Sequence, residues 1–550
     1  MSLRQVFSIG PLFLLVTVST GVFAANPPGD TEYDTLARLL TEFRQMTGSD
    51  AHEIDLIPDM SAAAVAEQAA ELAVYQRRLQ QIDWKDWGIS RQIDYHLVRA
   101  EMNGLEFQHR VTRPWFRDPG MYSDVIKGLS SDMIASQDMG GSLVGMFPLS
   151  ADDVKSVATR LKAIPGLVKL AKINLADTSI VPGDLAVLAI RDLQHSQKSV
   201  TELINDLRLH HPKLVGDAED VQRAIGDYLN WLEGHQEDMT ALAGVGKDNY
   251  NWLLKNVYLF PYTWDELRTL VELEDNRVIT FRRLEENRNR RVPMLEPVQS
   301  QAEYKASVQE SIDYLMNFIR EEEIFSIPDY LTPDGYFGSW HGFDKPWPDK
   351  HDYFFNFSHR ESLMEETHEM VGHHFDQLRA QFDTDPIRGG WRPYKISTAR
   401  TEGFAFALEE LLMHAGYLDS RSPRAREVAY EQSAFRTVRA MSDIYMHSND
   451  WSLADSMQYC VANAPHGELL DDSEHLWFEM ATTLRGVGHH MLMVVGKIQF
   501  MKLLRDRSQQ QGDQFELKSF MDEFFESGLI PFSLIRWEMT GETDEIEKLW

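Results

Sequence analysis

Helical periodicity runs through this chain with few breaks, and no other feature constrains its fold as strongly. In the stretch "DTLARLLTEFRQM", Leu36, Leu39, Leu40 and Phe43 recur at the i, i+3, i+4, i+7 spacing of one helix face. Residues 61–82, 153–164 and 217–235 repeat the pattern. Residues 263–289 read as a long charged helix, opened by Thr263 three residues before Glu266, a capping-box pattern. The last third is again helical in pattern. Strand signals are sparse. The best candidate is residues 326–357, rich in Pro, Gly and aromatics and carrying a Pro-Asp-Gly turn signal. No internal repeat or low-complexity tract interrupts the chain. The expected fold is therefore mainly α, with few short strands. A chain of 550 residues carries a length prior of about three or four domains. Large helical enzymes often form one two-lobed body instead. The division expected here is a helical half over 26–290 and a half carrying the chemistry over 291–550, around a deep central cleft.

The first residues read as an export signal. Arg4 supplies a short positive region, the apolar run "IGPLFLLVTV" follows, and Val22-Phe23-Ala24 fits a small-x-Ala cleavage site. A signal peptide over 1–24, cut near Ala24, is expected. The apolar run is shorter than the roughly 20 residues a bilayer span needs. No later segment is apolar for that long, so the expectation is a periplasmic or secreted protein with no stable membrane insertion after cleavage. The formal net charge of −31 repels nucleic acid and anionic lipid headgroups. Cys460 is the only cysteine, so no internal disulfide can form.

One segment carries chemistry. "EETHEMVGHHFDQLR" begins as the His-Glu-x-x of a zinc-protease helix, but Gly372 stands where the second histidine belongs, and His373 and His374 follow. On an ideal helix, residues four apart lie about 40° apart around the axis and can share one ion. Residues five apart lie about 140° apart, and residues six apart about 120° the other way, so neither spacing works undistorted. A one-residue π-bulge restores a shared face for His368 and His373. The insertion therefore predicts a bulge at Val371-Gly372. Glu369 then stands beside the ion as general base. A third ligand has to come from another helix, and Glu402 in "STARTEGFAFALEELLMHAG" is the best placed.

These segments together resemble the bacterial domain-of-unknown-function family 885, a helical group related to the zinc metallopeptidases. That family carries His-Glu-x-x-Pro-Gly-His-His, which stands here as His368-Glu369-Met370-Val371-Gly372-His373-His374 without the proline. Its Glu-Gly-Trp-Ala-x-Tyr stands as Glu402-Gly403-Phe404-Ala405-Phe406-Ala407, and a later Asp-x-x-x-His as Asp443 to His447. Gly496-Lys497, Leu504-Arg505, Phe515 to Phe520 and Gly528 to Pro531 match further family signs. The histidine segment is also similar to that of dipeptidyl peptidase III. The resemblance implies His368, His373 and Glu402 as ligands of one zinc ion per chain, with Glu369 as base. An ungapped match selects His374 in place of His373, so both stay open.

The chain departs from the family at Thr482-Thr483, where an Arg-Tyr pair is usual, and at Met493, which replaces a tyrosine. Such a tyrosine is a natural donor to a developing oxyanion. Without it, His489 or His490 is the candidate donor. Arg485 is a candidate for a substrate carboxylate. Tyr336, Trp340, His341 and Tyr353 are candidates to line a substrate cleft. His447 and Asp443 share a helical face at four-residue spacing and suit a substrate or supporting role. The function expected is an exported zinc-dependent hydrolase acting on peptide-like amide bonds in small substrates. The alternatives are hydrolysis of non-peptide amides or esters, or a catalytically silent binding protein on the same fold.

Overall fold

The computed structural model of the protein describes residues 31–48, 59–127, 147–336, 353–471 and 473–550. The expected signal peptide, Trp340 and His341 lie outside these residues. Helices make up almost all of the regular structure. The short strands expected around residues 326–357 do not occur among the described residues, where the only β pairing is an isolated bridge between Pro182 and Ala241. Of that segment, 326–336 is turns and irregular chain and 353–357 is helical. Its proline and glycine content breaks helices without supplying a paired edge.

Helix α1 (Glu32–Thr47) buries the face its sequence announces, Leu36, Leu39, Leu40 and Phe43. Each such side chain contributes about 1.5–3 kcal/mol on leaving water. With α2 (Ala62–Gln80) and α3 (Ile89–Phe107) it forms one apolar cluster. Helices α4 (Ala151–Asn174), α5 (Gly183–His210) and α6 (Val215–His235) form a second, around Leu161, Leu193 and Tyr228.

Helix α7 (Trp264–Arg288) begins with the expected capping box. Glu266 Oε2 accepts the Thr263 N–H at 2.7 Å, and Thr263 Oγ1 accepts the Glu266 N–H at 3.4 Å. The largest cluster runs from Ile93 to Leu549 and takes in residues of α3 and α7. The apolar clusters therefore do not part near residue 290: α7 packs along a helix of the second half rather than ending the first. That partner is α10 (Ala425–His447). Around it stand α8, a continuous helical stretch over 363–382, α9 (Thr398–Ala415), α11 (Glu474–Arg485) and α12 (His489–Gln511).

Helices α9 and α12 meet at glycines. A Cβ on Gly403 would lie 2.5 Å from Gly496 Cα, and one on Gly496 would lie 2.4 Å from the Ala399 carbonyl oxygen. Contacts that close leave no room for a side chain. Among the described residues, no helix is long and apolar enough to cross a membrane.

Candidate metal centre

Helix α8 is α-helical at both ends and π-helical over Thr367–His374. The wider turn absorbs the inserted residue and turns His368 and His373 toward each other, with Nε2 atoms 3.1 Å apart. Gly372 serves this turn through its missing side chain. A Cβ there would lie 2.5 Å from the Ala405 Cβ, so glycine lets the π-turn press against α9. That contact brings Glu402 in. Its Oε2 lies 3.4 Å from His373 Nε2 and 3.7 Å from His368 Nε2.

Two donors bound at about 2.0–2.1 Å to one tetrahedral zinc ion lie roughly 3.3–3.4 Å apart. The three edges, 3.1, 3.4 and 3.7 Å, are close to one face of such a tetrahedron. Two imidazoles and a carboxylate are also a donor set used by hydrolytic zinc, which keeps a fourth position open. The residues present therefore fit a divalent cation. The local field agrees. Burial depresses the His373 imidazole, but the charge and hydrogen bond of Glu402 outweigh it and push its pKa up to about 9. Burial likewise raises the Glu402 carboxyl, and His373 and His368 overcome it and hold it well below the usual carboxylate range. Positive charge is favoured where the two Nε2 atoms meet.

His374 turns away. Its Nε2 lies 2.9 Å from the Thr332 carbonyl oxygen, so the ungapped choice of second ligand does not join the cluster. Glu369 does: its carboxylate comes within 4.8 Å of the His368 and His373 nitrogens and keeps partial access to solvent. Glu365, one turn earlier, is half-buried beside it. Burial first, then the Glu369 charge, pushes its pKa up to about 7.

The supporting groups were not visible in the motif. Glu409, two turns beyond Glu402 on α9, has Oε1 2.9 Å from His368 Nδ1. A carboxylate there fixes the Nδ1–H tautomer and would aim Nε2 at a bound ion. Arg436 of α10 holds Glu409 in turn, at 2.8 Å to Oε1 and 3.0 Å to Oε2. Glu409→Gln is expected to weaken zinc binding about 10- to 100-fold in a chelator competition. Unaltered affinity would show that Glu409 does not orient His368. Two residues past His374, Asp376 pairs at 2.9 Å with Arg400, two residues before Glu402, and neither side chain is exposed. This pair locks α8 and α9 in register.

Lys395 is a further residue the motif does not reveal. Tyr394 and Lys395 both adopt left-handed backbone, at φ 58° and 59°. Such backbone costs energy outside glycine and gathers where function needs it. The Lys395 Nζ lies 3.0 Å from His489 Nδ1. The charges of Lys395 and His489 both act on Glu402 or are acted on by it. His489 is thus beside the centre. Burial, then the Lys395 charge, holds its pKa well below the ordinary histidine value.

Several other expected site residues lie in the surrounding fold. His490 is 1% exposed, with Nδ1 2.8 Å from Thr483 Oγ1 and Nε2 2.9 Å from Glu479. Both ring nitrogens are engaged there, which removes it as an oxyanion donor. Arg485 faces Asp118, Asp192 and Asp124 at 3.2, 3.4 and 3.7 Å, so its charge is already answered within the protein. The Tyr336 hydroxyl donates to Glu366 Oε2 at 2.7 Å and its ring packs on His374, which buries it away from a cleft wall. Asp443 accepts the N–H groups of Gly488, His490 and Met491 at 2.9 to 3.2 Å and caps α12. His447 is fully buried and donates from Nε2 to the Thr483 carbonyl at 3.0 Å. Met493 is buried in α12. For Tyr353 the structure describes only the helical backbone.

The fold is shared with solved proteins. A candidate lipoprotein of unknown function from Shewanella oneidensis superposes with TM-score 0.68 at 15% identity, covering 93% of this chain and 100% of that one. A candidate lipoprotein from Colwellia psychrerythraea superposes with TM-score 0.68 at 13% identity, covering 93% and 99%. No curated protein matches the chain. The profile described as "Bacterial protein of unknown function (DUF885)" matches residues 42–278 and 343–539, which include His368, Glu369, His373, Glu402 and Glu409. By that match over most of its length, the chain belongs to the DUF885 family of bacterial proteins.

Proposed function

We propose that this protein is an exported, zinc-dependent hydrolase of peptide-like amide bonds. The observation that carries the reading is the convergence of His368, His373 and Glu402 on one point, with the Glu369 carboxylate beside it. His368 Nε2, His373 Nε2 and Glu402 Oε2 would hold the ion. When bound, zinc supplies Lewis acidity that polarises a carbonyl and acidifies water.

The chain's own groups divide the remaining work. The Glu369 carboxylate takes a proton from the attacking water as the carbon–oxygen bond forms. It returns that proton to the amine nitrogen as the carbon–nitrogen bond breaks. Lys395 has only donors while protonated, so His489 Nδ1 accepts from it and the remaining hydrogen sits on Nε2. Lys395 Nζ and His489 Nε2 are then hydrogen-bond donors suited to the oxygen that gains charge. Export rests on the N-terminal pattern and on the likeness to candidate lipoproteins.

The test is a peptide-library digest with purified mature protein, with and without a chelator and with zinc restored. Cleavage at defined bonds that stops on chelation and returns with zinc is expected. Absence of cleavage, with ester or non-peptide amide substrates turned over instead, would move the activity to another bond type.

A further inference from the structure

A cavity of about 190 Å³ opens between α3, α5, α11 and the loop carrying Lys395, and no proposed zinc donor lines it. Two cations at its wall have no carboxylate partner among the described residues. The Arg117 guanidinium meets only backbone. Its Nε donates to the Ile180 carbonyl at 3.2 Å, Nη1 to that of Val111 at 3.2 Å and Nη2 to that of Leu242 at 2.8 Å. Val111 and Leu242 immediately precede Thr112 and Ala243, which line the cavity, so the guanidinium stands at the wall. An arginine carries five N–H donors, and these three bonds leave two to offer.

Lys395 is the second cation. Its Nζ bonds His489 Nδ1 at 3.0 Å, and burial keeps that imidazole neutral. A Cβ on Gly486, another lining residue, would lie 3.0 Å from the same Nζ, which places the ammonium at the wall. Glu402 and Asp443 act on Lys395 as charges, with no hydrogen bond to it among the described residues. The other charged residues of the lining, Arg485 and Asp118, face each other at 3.2 Å. Asp192 and Asp124 also face Arg485, at 3.4 and 3.7 Å, but do not line the cavity. Burial holds His447, the one histidine of the lining, at a pKa of about 4, so it adds no charge near neutral pH. The lining therefore sets Arg117, Lys395 and Arg485 against Asp118 alone, an electropositive recess in a chain of net charge −31.

Cations without a counter-charge, partly withdrawn from water, favour an anion, and a carboxylate is the anion that guanidinium and ammonium donors suit. Size limits what carries it. A cavity of about 150 Å³ holds benzene, so this one has room for a single amino-acid residue and not for a continuing chain. Phe107, Leu185 and Leu253 supply apolar wall for the rest of that residue. Arg117, Ala243 and Lys395 are only half-buried, so the recess reaches solvent. Lys395 also ties it to the metal centre, since the charge of its partner His489 acts on Glu402. We propose that this recess binds a carboxylate of the substrate, carried on the one residue beyond the scissile bond, with Arg117 and Lys395 as its donors. A C-terminal α-carboxylate and an acidic side chain share that chemistry, and the experiment separates them. Lys395 keeps two N–H groups after its bond to His489, so it still reaches a developing oxyanion as well. The inference rests on the hydrolase reading above and narrows its substrates.

The experiment has two arms. The first compares kcat/KM for matched short peptides ending in leucine, leucinamide, glutamine amide or glutamic acid α-amide. Leucine above leucinamide by about 10- to 100-fold, the worth of a charge-assisted hydrogen bond, assigns the recess to the α-carboxylate. Glutamic acid α-amide above glutamine amide by a similar factor assigns it to an acidic side chain. Arg117→Gln is expected to lower whichever ratio is found about tenfold, mainly through KM. Thr112→Glu, which places a carboxylate of the protein in the recess, should do the same and serves if the first variant does not fold. The second arm measures binding of N-acetylleucine, N-acetylleucinamide and N-acetylglutamic acid α-amide to wild type and both variants by NMR titration, with no turnover required. Saturable binding of either acid, weakened in the variants, supports the recess even if no peptide is cleaved, a result that would count against the hydrolase reading alone. Equal rates for all four peptides, or acid binding that both folded variants retain because the ion alone holds it, would overturn the recess and leave the hydrolase reading standing.

Discussion

Glu369→Gln is expected to lower turnover by about 10²–10⁴-fold, the contribution of one positioned acid–base group, while zinc content stays at the wild-type level. The amide keeps the shape of the side chain and removes its capacity to take a proton. The proposed zinc donors are other atoms, so binding of the ion has no reason to change. The paired readout distinguishes chemistry from structure. Loss of both zinc and activity would make Glu369 a ligand or a structural residue, and unchanged turnover would remove it from the mechanism.

The second large effect is on stability. Asp376→Ala is expected to cost about 3–5 kcal/mol, read as a lower urea midpoint, because it strands a buried guanidinium. Arg400 is wholly buried, and Asp376 holds it at 2.9 Å while also pairing with Arg379 at 2.9 Å. Phe404 and Phe524 cover the Arg400 guanidinium but cannot accept its hydrogen bonds in place of a carboxylate. Replacing both partners, as in Asp376→Ala with Arg400→Met, should recover part of the loss, since the Arg400 charge goes with its carboxylate and only Arg379 is left without Asp376. A single variant as stable as wild type would mean that water or another group answers Arg400. Because the pair joins α8 to α9, the single variant should also loosen zinc binding.

The parts of this site that lie close together in sequence were the legible ones. His368, Glu369, Gly372 and His373 fall within six positions, and the helical period alone demanded a π-turn there, which Thr367–His374 supplies. The face of α1 and the Thr263 cap were legible for the same reason, being set by neighbours three or four residues away. The supporting shell was not. Glu409 meets His368 across 41 residues and Arg436 meets Glu409 across 27, and neither spacing follows from any local period. Helix α10 is buried nearly all round, so its arginines and glutamates carry no mark of which side faces the metal centre. Arg485 and His490 have the chemistry of site residues, but their partners, Asp118 and Glu479 among them, come from elements the motif does not contain. Lys395 owes its place to backbone at φ 59°, which its sequence context does not announce.

The choice between two adjacent histidines gives the most direct test of the account. Zinc is measured by elemental analysis in wild type, His373→Ala and His374→Ala after dialysis against a weak chelator. The geometry predicts about one ion per chain in wild type and in His374→Ala, and close to none in His373→Ala, since three protein donors are the usual minimum for such a site. Zinc retained by His373→Ala and lost from His374→Ala, or no zinc bound by wild type at all, would contradict it.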